Sequence, residues 1–182
     1  MDKNTPLTGI RFVGFDVETT GLSAIACRLV ELSGVAFDIN GDGEVETFSR
    51  LINPLQPIPP EVSALHGITD EMVESEESAP PVLLKFFQFL AKEEETYQKP
   101  AILVAHNAAF DVEFVKVESL RAGFSEPPYL VLDTLTLCQS LLPQGLEAGG
   151  PLNNRLQTLS EYFGFGGDGR FCYSFLSAAA YR

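Results

Sequence analysis

Asp16 and Glu18 stand one residue apart in "RFVGFDVETTGLS", where an apolar run gives way to a Thr-Thr-Gly turn. On an extended segment their side chains point to the same face, because side-chain direction in a strand repeats every second residue. Two like charges brought together at a strand end repel one another unless a proton or a cation lies between them. A divalent ion with oxygen ligands is the economical explanation, and it asks for a third carboxylate from elsewhere in the chain. Asp111, in "HNAAFDVEF", is the candidate: it falls just past another apolar run, at the start of a helical pattern. Taken alone, a D-x-E pair is usually an ordinary solvated strand end, so the argument needs all three acids on one scaffold.

The surrounding pattern predicts that scaffold. Phe12, Val13 and Phe15 mark a strand over 10–16, "RLVELSGVAF" a second over 28–37, and the turn "NGDGE" leads into a third near 46–52, together an antiparallel meander. The Pro-rich "NPLQPIPPEV" reads as an irregular surface connection, since each proline lacks an N–H and restricts its predecessor. Leu83, Phe86, Phe87 and Leu90 line one face of a helix that runs into the solvated "KEEE". "AILVAH" predicts a buried strand, and Phe110, Phe114 and Val117 a helix that Gly123 ends. "YLVLDTL" predicts a last strand leading into a helix over 134–142, and Leu156, Leu159 and Phe163 a final helix stopped by Gly164. The expected fold class is α/β, a mixed β-sheet, antiparallel first and parallel later, flanked by helices. Carboxylates from the first and fourth strands would then meet at the sheet's edge.

Composition narrows the setting. The 182 residues suit a single domain, 1–182, and are too apolar, at 45% hydrophobic, for a disordered chain. No run approaches the ~18 apolar residues of a membrane span, and "MDKNTPLTGI" lacks the apolar core of a secretory signal, so the expectation is a cytoplasmic protein without a membrane partner. Cys27, Cys138 and Cys172 form neither a disulfide framework nor a zinc pattern. A net charge of −13 repels polyanions, unless acidic clusters hold dications that in turn attract phosphate oxygens. "DINGDGEVE" offers another metal pattern, with Asp38, Asn40, Asp42 and Gly43 at the first, third, fifth and sixth places of a calcium loop. Ser49 stands where that loop requires Glu, so a solvated hairpin turn is the expectation.

Four segments in order, "FDVETTGL", "HGIT", "HNAAFD" and "LDTL", resemble the DEDD superfamily of 3′–5′ exonucleases, and most of all the proofreading subunits of bacterial DNA polymerase III. The resemblance covers roughly residues 10–164. It implies a ribonuclease H-like sheet, with Asp16, Glu18 and Asp111 as catalytic metal ligands for two Mg2+ or Mn2+ ions. One ion would lower the pKa of the attacking water and the other stabilise the leaving 3′ oxygen, about 3.5–4 Å away. It further implies that Thr19, Thr20 and Leu22 line the terminal nucleotide, that His66 lies near the terminal base or sugar, and that Asn107 holds local backbone or touches substrate. Asp133 matches a recurring D-T pair, with capping of the next helix an equal alternative. The implied partners are the 3′ end of nucleic acid, single-stranded DNA foremost, and a DNA polymerase subunit.

The pattern breaks near residue 165. The family's third motif, H-x-A-x-x-D, supplies a water-positioning His and a final metal-binding Asp, but the tail "GGDGRFCYSFLSAAAYR" contains no such string. Aligned by apolar spacing, Cys172 takes the place of the His and Ser177 that of the Asp; Tyr173 has the spacing a sister subfamily uses for its Tyr. Three accounts are open: an enzyme that uses Asp168 or another residue, a catalytically impaired relative that binds nucleic acid, or a tail read in an altered frame or cut short. The chain's end just after the expected motif favours the third.

Overall fold

The computed structural model describes residues 4–41, 43–125 and 129–164. Strands β1 (Arg11–Thr19), β2 (Leu29–Phe37), β3 (Glu46–Leu51), β4 (Ala101–Ala105) and β5 (Leu130–Asp133) form one sheet in the order β3-β2-β1-β4-β5. The first three strands pair antiparallel, whereas β4 joins β1, and β5 joins β4, in parallel. Parallel pairing sends the carboxyl ends of β1, β4 and β5 to the same rim. That rim carries Asp16, Glu18, the segment leading to Asp111, and Asp133. The acids therefore lie at the end of the central strand, at the rim expected from the sequence, because β4 docks against β1 on the side away from β2.

Alternation along β1 divides the molecule into two faces. Val13, Phe15 and Val17 are buried under helices α3 (Ala79–Tyr97) and α4 (Ala109–Arg121), among Val82, Leu83, Phe86, Leu90, Phe114 and Val115. Phe12, Gly14, Asp16 and Glu18 point the other way, where Phe12 packs with Ile10 and Ile102. α3 opens on Ala79, Pro80 and Pro81, which the first turn tolerates because its N–H groups have no helical partners. Phe86 sits at the centre of this core. It contacts the rings of Phe15, Phe48, Phe87 and Phe89, and a Cβ on Gly34 would lie only 3.0 Å from its ring, so the bare backbone of β2 is what lets it approach.

The Pro-rich connection holds more structure than its composition suggests. After an irregular stretch to Pro59, Pro60 begins helix α1 (Pro60–His66), Gly67 ends it at φ 80°, and helix α2 (Asp70–Val73) follows. A proline at the first helical position loses no hydrogen bond and has the required φ, which is why the segment can coil there. Ile58, Ile68 and Val73 pack on Val30 and bring His66 toward the end of β1. At the opposite end of β1, buried Arg11 donates to Glu93 Oε2 at 2.9 Å and stacks on Tyr97, while Lys99 donates to Asp38 Oδ1 at 2.9 Å. Asp38 thus serves ion pairs with Lys99 and Arg11, in keeping with a hairpin turn there; Asp42 lies outside the described residues.

Helices α5 (Thr134–Leu141) and α6 (Leu156–Tyr162) complete the described fold. Leu159 of α6 is buried as its spacing predicts, but Leu156 and Phe163 are exposed. Asp168, Cys172, Tyr173 and Ser177 lie outside the described residues. Because Phe86 is fully buried and touches four other rings, Phe86→Ala should lower the unfolding free energy by about 3–5 kcal/mol, read from the midpoint shift in urea with an unchanged slope.

Candidate active site

The three predicted acids, two from the first motif and one from the second, are brought near one another at the carboxyl end of β1. β1 keeps its pairing with β4 only as far as Gly14↔Val104 and then runs on beyond it. The N–H of Val17, the residue between Asp16 and Glu18, donates instead to Asp111 Oδ1 at 3.1 Å. Asp111 lies in the first turn of α4, 4% exposed, and so replaces a strand partner with a carboxylate. This bond stitches the second motif to the first.

The charges feel one another. Asp16 is pushed up to about 6, first by burial and then by the charge of Glu31. Glu18 is pushed up to about 7 by burial and by the charges of Asp16, Glu31 and Asp111. Asp111 rises to about 7 through burial and the charge of Asp16, against the lowering effect of its bonds from the Val17 and Asp111 backbone. At neutral pH such a corner holds protons or attracts a cation.

Glu31 is the acidic neighbour that motif reasoning passed over. It faces Glu18 directly in the β1–β2 register, while Ser33 faces Asp16. Its Oε1 accepts from Ser33 Oγ at 3.1 Å and Ser49 Oγ at 3.0 Å. The available signal was a carboxylate in the middle of the otherwise apolar "LVELSGVAF", paired through a hairpin with the D-x-E strand.

The donors that could take a metal are all carboxylate oxygens, the chemistry of Mg2+, Mn2+ or Ca2+ and not of a thiolate-loving ion. In the described arrangement no three His, Cys, Asp or Glu side chains close around one point as a ready-made ligand set. Their coupling runs through charge and through the Val17 amide. Donor type and mutual repulsion both fit a divalent cation held by Asp16, Glu18 and Asp111.

The remaining predicted residues divide by what their side chains are doing. Thr19 Oγ1 donates to the Gly21 carbonyl at 2.7 Å, and Thr20 Oγ1 accepts from Arg28 N–H at 3.0 Å and Gln56 Nε2 at 2.7 Å. Both hydroxyls therefore shape the turn. Gly21 is required there, since a Cβ would meet Cys27 Sγ at 2.8 Å. Leu22 at the tip is 89% exposed. His66 lies beside the Thr19 backbone with Nδ1 accepting from Ile68 N–H at 3.0 Å, and burial holds its pKa below the usual histidine value. Asn107 adopts a left-handed φ of 66°, and its N–H donates to Asp133 Oδ1 at 3.0 Å. Asp133 also accepts from Leu135 N–H and so caps α5. His106 is engaged at both ring nitrogens, with Thr134 Oγ1 and the Asn154 carbonyl.

Beside Asp16 opens a cleft of about 900 Å3 whose walls include His106, Asn107, Gln139, Arg155 and Gln157. Arg155 is the cation among these lining residues, and could face an anionic backbone. The site is thus an α/β sheet with acids at the carboxyl end of its central strand, beside a cleft lined by apolar and polar side chains. The family model for exonucleases, RNase_T, matches residues 13–170, and the chain belongs to that family.

Among its relatives is the PolC-type DNA polymerase III of Pediococcus pentosaceus, 36% identical over 192 residues, which span 99% of this chain and 12% of that one. Another is the DNA polymerase III subunit epsilon of Treponema pallidum, 37% identical over 155 residues, or 85% of this chain and 66% of that one. The chain thus spans about a tenth of the PolC-type relatives and just under two thirds of the epsilon subunit. The fold matches that of a product-bound exonuclease I, with a TM-score of 0.69 and 16% identity over 88% of this chain and 40% of the other. It also matches exonuclease X solved with 5′ overhanging duplex DNA, with a TM-score of 0.54 and 24% identity over 87% and 75%. These likenesses bear out the α/β, ribonuclease H-like sheet read from the sequence.

The raised acids set the sign of a pH effect. A carboxylate whose folded pKa lies above its unfolded value favours the fold when protonated, and that contribution is lost as pH rises through the folded pKa. Without divalent metal, stability should fall as pH rises from about 4 to about 7. Asp111→Asn keeps an oxygen for Val17 N–H but removes the charge. It should raise the metal-free unfolding free energy at pH 8 by on the order of 1 kcal/mol, a gain that shrinks as pH falls toward 4, as checked by urea titrations in EDTA.

Proposed function

We propose that this chain is a divalent-metal-dependent 3′–5′ exonuclease domain that removes nucleotides from the 3′ end of DNA. The observation that carries the reading is that Asp16, Glu18 and Asp111 neighbour one another, with Val17 N–H donating to Asp111 and all three carboxyls raised in pKa, by burial first. Mg2+ or Mn2+, two ions in all, would be held by these carboxylates and would supply an activated water and charge stabilisation for the leaving oxygen. The water oxygen joins the terminal phosphorus, the bond to the 3′ oxygen breaks, and that oxygen leaves as a hydroxyl.

The other residues bind and orient. Leu22, exposed at its turn, would press on the terminal base; the backbone around Thr19 and Thr20 would meet the 3′ end; His66 and Asn107 would flank it. Arg155 would face the phosphates entering the cleft. A single-stranded end suits a cleft that opens at the sheet rim, and tethering to a DNA polymerase subunit in the cytoplasm would offset the repulsion expected from a net charge of −13. Residues 1–182 act as one domain in this reading, with the tail from about 165 departing from the family pattern.

One observation favours a second reading, a module that binds a 3′ end without cleaving it. The sequence has only two histidines, His66 and His106, both far upstream of the third motif's place, and the ring of His106 is engaged at both nitrogens. A missing general base costs about 10²–10⁴ in rate. With a 3′-labelled single strand and Mg2+ or Mn2+, the protein should release mononucleotides, and Asp16→Ala should abolish release. Binding of the same strand with no release at high enzyme concentration would select the second reading, and matched RNA and DNA strands would identify the preferred sugar.

A further inference from the structure

We infer that Glu118 is a positioning residue: from the buried face of α4 it fixes the β1–β2 loop in the shape that receives the 3′ end, and so sets substrate affinity more than the rate of cleavage. The inference rests on the proposed nuclease function for its substrate, but not for the loop itself.

Glu118 lies seven residues after Asp111, two helical turns along the same face of α4. Its side chain is 1% exposed. Oε1 and Oε2 accept a fork from Arg28, Nε at 2.6 Å and Nη2 at 3.1 Å, and Oε1 also accepts from Arg121 Nη1 at 2.8 Å. Arg121 in turn donates to the Cys27 carbonyl at 3.1 Å and the Ile25 carbonyl at 2.5 Å. One carboxylate thereby organises two guanidinium groups that grip the loop at Ile25, Cys27 and Arg28. Arg28 carries the grip forward, because its backbone closes on Thr20: Thr20 N–H donates to the Arg28 carbonyl at 2.9 Å, and Arg28 N–H to Thr20 Oγ1.

The loop held in this way is unusual in what it displays. Leu22 is 89% exposed and Ile25 78% exposed, beside the acids of β1. Two large apolar side chains left in water on a clamped backbone are suited to contact a base face without an ordering cost on binding. A buried carboxylate paired with two half-buried arginines is a poor device for stability alone, since apolar packing of equal volume does as well. Fixing loop geometry is what the fork supplies that apolar packing would not, because its planar, bidentate bonds set direction as well as distance. α4 thus grips the end of β1 twice, at Val17 through Asp111 and at the exit loop through Glu118.

The test combines Glu118→Gln, which keeps the shape and loses the charge, with Arg121→Gln, a half-exposed site that leaves the Arg28 fork in place. Hydrogen exchange at 21–28 should quicken in both variants, more in Glu118→Gln, while α3 and β1 up to Val17 stay protected. On the 3′-labelled strand, KM should rise about tenfold in Glu118→Gln and less in Arg121→Gln, with kcat within about threefold of wild type. In an Asp16→Asn background the dissociation constant of the strand, read by anisotropy, should rise in step. Unchanged exchange at 21–28, or a fall in kcat with KM unmoved, would overturn the inference. If Glu118→Gln does not fold, Arg121→Gln decides alone on the same readouts. A wild-type chain that neither cleaves nor binds the strand removes the nuclease reading, whereas the exchange result still decides whether Glu118 holds the loop.

Discussion

The structure depends on negative charge crowded where it is least welcome. Burial, with the charges of neighbouring acids, raises the pKa of Asp16, Glu18 and Asp111 at the end of a central strand, and among the described residues no Lys or Arg forms an ion pair with any of the three. The molecule does own buried arginine–carboxylate networks, around Arg11 and around Glu118, so neutralising partners are within its means. They are placed elsewhere. Basic groups brace the far end of β1 and the exit loop, and the acids at the rim are left for an external cation.

Topology explains why the acids can meet at all. Antiparallel pairing brings Glu31 opposite Glu18, and parallel pairing brings the end of β4 beside the end of β1. α4 then begins within four residues of β4, so its first turn sits above the point where β1 outruns its neighbour. The Val17 amide needs an acceptor at that point, and Asp111 provides one. A backbone requirement and a charge requirement are met by the same side chain.

Much of this was legible in the sequence. The order and type of the five strands and of α3 to α6 followed from apolar periodicity, because burial on one face repeats at two or at 3.6 residues. The three acids followed from D-x-E and from the position of Asp111 after an apolar run. Other features required three dimensions. Proline content concealed α1 and α2, since composition does not distinguish a first helical turn from a loop. Glu31 was hidden because one charged residue in an apolar strand has no local signature; only the register reveals what it faces. The threonine hydroxyls hold the turn, Thr19 through the Gly21 carbonyl and Thr20 through Arg28 and Gln56 at a distance in sequence, which no local pattern announces. The family's third motif remains a matter of the tail beyond residue 164.

The most direct test of the central claim is crystallographic: crystals soaked in Mn2+ and measured for anomalous scattering. The account predicts anomalous density among Asp16, Glu18 and Asp111, within about 2.0–2.6 Å of their carboxylate oxygens. No peak among these carboxylates at saturating Mn2+, with the three still apart and protonated at neutral pH, would contradict it.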